Sequence, residues 1–132
     1  MSNGGVAAVV TDLTDRPAIT TRGGSMRFLS TPAVTGAEHS IFGHLVLHPG
    51  EQVAEHVHDY GEETLFVLSG NGILRAGGEE LTIGAGQCAF LPRGLAHAVS
   101  VAGTEPLVAV FATAPPAPNP QAGHRDLGGR VT

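Results

Sequence analysis

Residues 50–63 have the sequence GEQVAEHVHDYGEE, and its two histidines, His56 and His58, guide the interpretation of the whole chain. Residues i and i+2 of a β-strand point to the same face, so both imidazoles are expected on one side of a strand. Two carboxylates, Glu62 and Glu63, follow shortly after. Imidazole and carboxylate groups are common ligands of divalent transition metals. The stretch therefore predicts a metal site.

A third histidine, His97, follows the turn sequence Pro-Arg-Gly at residues 92–94 in an otherwise apolar stretch. Proline and glycine favour a tight turn, which would reverse the chain and aim His97 back into a barrel. Val99 and Val101 share its face of the strand, so His97 is expected at one end of an apolar lining. Three imidazoles and one carboxylate leave positions on a six-coordinate metal for water or substrate.

Glu63 is the predicted carboxylate ligand. Alternation along the strand places Glu63 on one face with Leu65 and Val67, and places Glu62 on the opposite face. Alternation alone does not decide which of these faces is inside. In an alternative arrangement Glu63 stands free as a base, and a fourth histidine binds the metal in its place.

The 132 residues of the chain predict one domain with a single core. Its basic residues are seven arginines and no lysine, against twelve acidic residues, which gives a formal net charge of −5. Nucleic acids and anionic membrane surfaces attract clustered basic charge, so neither is an expected partner. The apolar run at residues 6–10 is too short to span a membrane. The composition therefore indicates a cytoplasmic protein.

Cys88 is the single cysteine, which excludes an internal disulfide and the disulfide-stapled class of secreted domains. It lies in a mostly apolar stretch, so we expect it to be a small buried side chain. A catalytic thiol is less favoured, because no histidine adjoins Cys88 in the sequence.

Short strand-like segments separated by glycine turns recur over residues 25–113, and long helical periodicity is missing. About eight such segments at regular spacing are typical of an all-β double-sheet jelly roll. Residues 1–24 form an N-terminal segment that either adds an edge strand or remains loose. The Pro- and Gly-rich C-terminal tail, residues 114–132, either drapes over the body or a neighbouring subunit or stays mobile.

The spacing of these residues resembles the two motifs of the cupin family. The pattern G-x5-H-x-H-x4-E-x6-G is present as Gly50, His56, His58, Glu63 and Gly70. The pattern G-x5-P-x-G-x2-H is present as Gly86, Pro92, Gly94 and His97, while the family's usual final Asn is Val101 here. The resemblance implies a double-stranded β-helix, the cupin jelly-roll barrel, with a metal inside it, and commonly a homodimer.

A narrower resemblance is to small cupin cyclases of aromatic polyketide pathways, of the tetracenomycin and resistomycin type. Residues 56–67 resemble the first motif of those proteins, and residues 115–126 resemble their C-terminal end. Together with the second motif, the resemblance covers residues 41–126. It implies a role in antibiotic biosynthesis and an aromatic or polyketide-like small-molecule substrate.

On this resemblance the chain is expected to be a metal-dependent cyclase that closes a ring of a poly-β-ketone by an aldol-type reaction. One divalent transition metal per chain would be held by His56, His58, Glu63 and His97, and the ligand set suits Zn, Ni, Mn, Fe or Co. The candidates for proton transfer are Glu62, Tyr60 and His124. The apolar lining is expected to include Leu65, Val67, Phe90 and Val99.

Two other functions remain open. The same ligand set could hold Fe, Mn or Ni in a dioxygenase that binds both substrate and oxygen. A non-enzymatic cupin that senses or stores a small molecule is the third hypothesis. It is the least favoured, because 132 residues leave no room for a fused DNA-binding domain.

Overall fold

Two antiparallel five-stranded sheets face each other in the computed structural model, which describes residues 7–127. The first sheet has the order β1-β2-β9-β4-β7 and the second the order β10-β3-β8-β5-β6. The strands are β1 (Ser25–Ser30), β2 (Ile41–Leu47), β3 (Gln52–Val57), β4 (Glu62–Ser69), β5 (Asn71–Ala76), β6 (Glu79–Gly84), β7 (Cys88–Leu91), β8 (His97–Ala102), β9 (Leu107–Ala114) and β10 (Arg125–Asp126). The predicted all-β jelly roll is confirmed.

The helical content of the described residues is small. One α-helical turn, α1, covers Pro32–Thr35, and 3-10 turns cover Leu13–Asp15 and Pro120–Ala122. The hydroxyl of Thr31 accepts a hydrogen bond from the backbone N–H of Val34 and so caps α1. No helix in residues 7–127 is long and apolar enough to cross a membrane.

Strand alternation builds the core between the two sheets. Along β4, Glu63, Leu65 and Val67 are buried while Glu62 and the other intervening residues are exposed. Burial of large apolar side chains is the main favourable term in folding. The largest fully buried side chains come from both sheets; they are Leu47, Leu65, Val67, Leu74, Leu91 and Leu107. The inside face of β4, which the sequence left open, is therefore the face of Glu63.

The C-terminal tail folds back onto the second sheet. In β10, Arg125 pairs with Val57 and Asp126 pairs with His56 of β3. The guanidinium of Arg125 donates two hydrogen bonds of 2.9 Å to the carboxylate of Asp59. The tail up to Leu127 therefore packs against the barrel, at the end that carries His56 and His58.

Two predictions about β7 are wrong. Cys88 was expected to be buried and Phe90 to line the interior, but Cys88 is exposed and Phe90 is 55 % exposed. Both lie on the outer side of the strand, while Leu91 is buried. The physical reason is alternation: in β7 the residues that face the core are those that share a side with Leu91.

The turn just before β1 lies tightly against the first residue of β3. Ile19 and Met26 form an isolated bridge, and the intervening turn contains Gly23 at φ +101°. A Cβ atom placed on Gly23 would meet the backbone oxygen of Gln52 at 1.8 Å. Only glycine fits such a backbone approach, so the turn that includes Arg22 is pinned to the first residue of β3.

We therefore expect Gly23→Ala to lower the free energy of unfolding more than Gly103→Ala. Both positions have positive φ, but a Cβ on Gly103 would meet nothing within 4 Å. The backbone strain should be similar at both sites, and the clash should add about 1–3 kcal/mol at Gly23. Equilibrium denaturant unfolding of the two variants measures the difference, and equal losses would contradict the tight approach.

Candidate metal centre

Three strands from both sheets bring the predicted ligands together. His56 lies on β3 opposite His97 of β8, Glu63 projects inward from β4, and His58 follows the end of β3. Nitrogen or carboxylate oxygen atoms of the four side chains all lie within 4.8 Å of one another. The four residues named by the sequence therefore converge on one point, with geometry that could hold a metal ion.

The cluster is largely removed from solvent. His97 is 2 % exposed, His56 8 % and Glu63 9 %, and these are the buried polar or charged residues of the described chain. Placing a carboxylate in a low-dielectric interior is costly unless it is paired or binds a cation. Such a group is therefore typical of a binding site rather than of a core.

Backbone carbonyls orient all three imidazoles. The Nδ1 atoms of His56, His58 and His97 lie 2.8, 2.7 and 3.0 Å from the carbonyl oxygens of Ala54, Gly123 and Leu95. An Nδ1–H donor satisfied in this way leaves the Nε2 lone pair free, which is how metal-binding histidines are usually held. The C-terminal tail thus contributes directly to the site, because the backbone carbonyl of Gly123 fixes the ring of His58.

The Nε2 atoms point toward the shared carboxylate. Oε1 of Glu63 lies 2.9 Å from Nε2 of His58 and 3.8 Å from Nε2 of His97. Both Nε2 atoms are buried, and neither has a well-formed hydrogen bond within residues 7–127. Buried polar atoms without partners are rare in proteins, and a bound cation would satisfy them, so the donor set fits a metal.

The electrostatics also favour a cation. Burial acts to raise the pKa of Glu63, but the contacts with His58 and His97 outweigh it and hold that pKa at about 2. Burial, reinforced by the nearby His97, lowers the pKa of His56 to about 4. Burial also acts to lower the pKa of His58, but Glu63 reverses the shift and raises it. At neutral pH the site thus holds a carboxylate and at least one neutral imidazole, which are the forms that bind metal.

A cavity opens onto the cluster and combines polar and apolar walls. Beyond the four candidate ligands, its polar residues are Arg22, His124 and Asp126. The apolar walls come from both sheets and consist of Met26, Leu45, Val53, Ala54, Leu65, Val99 and Phe111. Of the lining predicted from the sequence, Leu65 and Val99 lie at the cavity, while Val67 is buried in the core beside it.

The structure separates the three residues that the sequence suggested for proton transfer. His124 lines the cavity, and its ring centre lies 5.6 Å from that of His56. Tyr60 is 43 % exposed, and Glu62 is exposed on the outer side of β4; neither lines the cavity. The structure therefore brings one of the three candidates to the cluster.

Two polar residues at the cavity, Asp126 and Arg22, were missed from the sequence. Oδ1 of Asp126 lies 3.3 Å from Nε2 of His124, and its place two residues after that histidine was a usable signal. Arg22 had no such signal, because it lies in a segment without a motif, and only the folding of the turn brings it to the cavity.

The family assignment follows from this fold and site together with a match to the cupin domain over residues 43–113, which is more than half of the chain. The chain belongs to the cupin family. Among its relatives, it is 38 % identical over 105 residues to the tetracenomycin polyketide synthase protein TcmJ of Streptomyces glaucescens, covering 80 % of this chain and 70 % of that protein. It is 36 % identical over 105 residues to the polyketide synthase CurC of Streptomyces cyaneus, covering 80 % and 68 %.

Solved structures agree on the fold. The polyketide cyclase RemF from Streptomyces resistomycificus superposes with a TM-score of 0.74 at 19 % identity, covering 96 % of this chain and 88 % of RemF. Oxalate decarboxylase of Bacillus subtilis, a protein with Mn(II) centres, gives a TM-score of 0.67 at 22 % identity, covering 76 % of this chain and 28 % of that one. At these identities the likeness concerns the double-stranded β-helix alone.

Removing one ligand should remove the metal. We expect protein purified without chelators to carry a divalent metal in near-stoichiometric amount, and His97→Ala to lower the metal affinity by at least about 100-fold, because even residues behind the ligands are worth 10–100-fold. The matched control is His39→Ala, since the His39 side chain is 93 % exposed. Elemental analysis after dialysis gives the metal content of both variants. Equal metal content in the two variants would contradict the assignment of His97.

Proposed function

We propose that this cupin is a metal-dependent polyketide cyclase that closes a ring of a poly-β-ketone or partly cyclised aromatic intermediate by an aldol-type reaction. The observation that carries the proposal is the largely buried cluster of three histidines and Glu63 in a cavity with polar and apolar walls. The relatives named for polyketide synthases, which are more than a third identical to the chain, support the choice of substrate class.

His56, His58, His97 and Glu63 would hold one divalent metal. When bound, such an ion supplies Lewis acidity toward a carbonyl oxygen of the substrate. The protein contributes fixed ligand directions through the three carbonyl contacts at Nδ1. Thiolate ligands are missing from this set, and the combination of imidazole and carboxylate suits Zn, Ni, Mn, Fe or Co.

His124 is our candidate for the general base. Its Nδ1 atom is buried without a hydrogen-bond partner in the described chain, while Nε2 lies 3.3 Å from the carboxylate of Asp126. Asp126 can therefore hold the proton on Nε2 and leave the Nδ1 lone pair available. Burial, with a contribution from Arg22, lowers the pKa of His124, so the ring is neutral and able to accept a proton at pH 7.

The reaction that these groups can perform is proton transfer followed by carbon–carbon bond formation. His124 would accept an α-proton from a carbon that lies between two carbonyl groups. The resulting carbon nucleophile would attack a second carbonyl of the same chain, whose oxygen takes up the proton held by His124. Loss of water and enolisation of the remaining ring ketones would then give an aromatic ring. The apolar walls would fold the chain for this attack and exclude solvent.

The proposal is tested by supplying a minimal polyketide synthase that produces an uncyclised chain and following the products by liquid chromatography with mass spectrometry. The wild-type protein should increase the yield of one ring-closed product, and chelation should abolish the increase. His124→Gln should lower the rate by about 100-fold or more, whereas the exposed control His39→Gln should not. Ring closure that is unaffected by chelation would contradict metal dependence.

Assay without oxygen separates the cyclase from the alternatives. Ring closure consumes no oxygen, so the rate should be unchanged under anaerobic conditions. A reaction that stops without oxygen would replace the cyclase with the dioxygenase hypothesis. If adding the protein does not change product formation, with or without metal and oxygen, although the protein binds aromatic compounds tightly, the non-enzymatic hypothesis would be favoured.

We also propose that two copies of the chain associate through the first sheet. Four large apolar side chains lie exposed on its outer side: Phe42, Phe66, Leu68 and Phe90. They come from β2, β4 and β7, and residues of β9, which lies between β2 and β4, are also apolar, such as Val110 opposite Phe66. Grouped apolar side chains on a sheet surface are typical of interaction sites, and a homodimer fits the general habit of cupins.

Phe66→Glu should shift the protein from dimer to monomer, because a charge would have to be buried in the interface. Leu81→Glu is the matched control, since Leu81 is 48 % exposed on β6 of the other sheet. Size-exclusion chromatography with light scattering gives the masses. A monomeric wild type, or a dimer that survives Phe66→Glu, would contradict this interface.

A further inference from the structure

Arg22 stands at the cavity wall, and no carboxylate of residues 7–127 is in contact with it. It is partly buried and shares the cavity with His58, Glu63 and His124. The centre of its guanidinium lies 5.6 Å from the centre of the Phe28 ring, within the range of a cation–π contact. Stacking of this kind orients the planar group while leaving its N–H donors available to other partners.

The other arginines at defined contacts use their donors on the protein. Arg75 and Arg125 are paired with Glu80 and Asp59, and Arg16 donates to the backbone oxygen of Phe28. For Arg22, residues 7–127 provide neither a carboxylate oxygen within 4.0 Å nor a hydrogen-bond acceptor. A partly desolvated cation without a partner is unfavourable for the protein alone, so its position indicates a ligand.

Nearby acidic groups are too far away to neutralise Arg22 by contact. Burial lowers the pKa of Arg22, while the carboxylates of Asp126 and Glu63, which do not contact the guanidinium, act to raise that pKa. The guanidinium stays protonated in any case, because its ordinary pKa is far above neutrality. Glu63 is engaged with His58 and His97, and Asp126 lies against His124. The charge of Arg22 therefore remains available to the cavity.

Arg22 also lies where the cavity meets the surface. A second, more open hollow is lined by Ile19, Thr21, Pro120 and Gln121, and it shares Arg22, His124 and Asp126 with the inner cavity. The close approach of Gly23 to Gln52 keeps the turn in this place. A substrate that reaches the cluster from this side would pass the guanidinium before it meets the histidines.

We propose that Arg22 binds an anionic oxygen pair of the substrate, either a carboxylate or the enolate of a β-dicarbonyl unit, and so fixes the substrate's orientation in the cavity. Both groups are planar and present two oxygens that share one negative charge, which matches the fork of donors on a guanidinium. The inference rests on the proposed function, because it assigns a charge state to the substrate of that same cavity. Arg22 is a binding residue in this scheme, and proton transfer stays with His124.

The test compares charged probes with neutral ones of similar shape on the metal-loaded protein. Salicylate and salicylamide form the carboxylate arm, and dimedone, which is an enolate at neutral pH, and isophorone form the enolate arm. We expect the wild type to prefer the anion in at least one arm, and Arg22→Gln to lower the affinity for that anion by about tenfold or more. Isothermal titration calorimetry gives the dissociation constants, and the arm that responds identifies the group.

Three comparisons make the result specific to Arg22. Arg75→Gln removes the same charge at an exposed pair outside the cavity lining and should leave the preference for the anion unchanged. Arg22→Lys keeps the charge without the fork and should retain part of the preference. Metal content by elemental analysis should be equal in all variants. Should Arg22→Gln fail to fold, as judged by circular dichroism, the comparison of wild type with Arg22→Lys decides, because the preference must still be weaker in the lysine variant.

An unchanged preference for the anion in the folded Arg22→Gln variant, at equal metal content, would overturn the inference. Equal affinities of the wild type for anionic and neutral probes in both arms would overturn it as well. Either result would leave the chelation-sensitive ring closure of the proposed function untouched. The two proposals can therefore fail separately.

Discussion

The carboxylate of Glu63, buried between two sheets and facing His58 and His97, is the interaction on which the rest of the site depends. A buried charge of this kind must be compensated, and the chain compensates it with imidazoles drawn from the opposite sheet. The same contacts hold the pKa of Glu63 at about 2, so the carboxylate stays charged across the physiological range. A jelly roll with this charge at its centre is organised to receive a cation.

The surrounding structure supports that charge in successive layers. Backbone carbonyls orient the three imidazoles, and one of these carbonyls belongs to Gly123 in the returning tail. The tail is fastened by strand pairing to β3 and by the contact between Arg125 and Asp59. It thereby also delivers His124 and Asp126 to the cavity. The orientation of His58 and the position of the candidate base thus depend on one short segment docking correctly.

The sequence predicted what depends on local spacing and missed what depends on tertiary contacts. The i, i+2 relation of His56 and His58 and the alternation along β4 follow from strand geometry, and together with the spacing of the two motifs they were enough to name the ligand cluster. Which face of β4 is inside depends on the second sheet, and so alternation could not decide it. The exposure of Phe90 depends on the register of β7 with β4. Arg22 reaches the cavity through a turn whose position is set by contact with Gln52, far along the chain.

The most direct test of the central claim is an anomalous X-ray difference map from crystals of protein purified without chelators. The account predicts a single metal peak per chain, with His56, His58, His97 and a carboxylate oxygen of Glu63 at about 2.0–2.2 Å, the usual distance for such ligands. A metal peak located elsewhere, or a map in which these four side chains point away from one another, would contradict it.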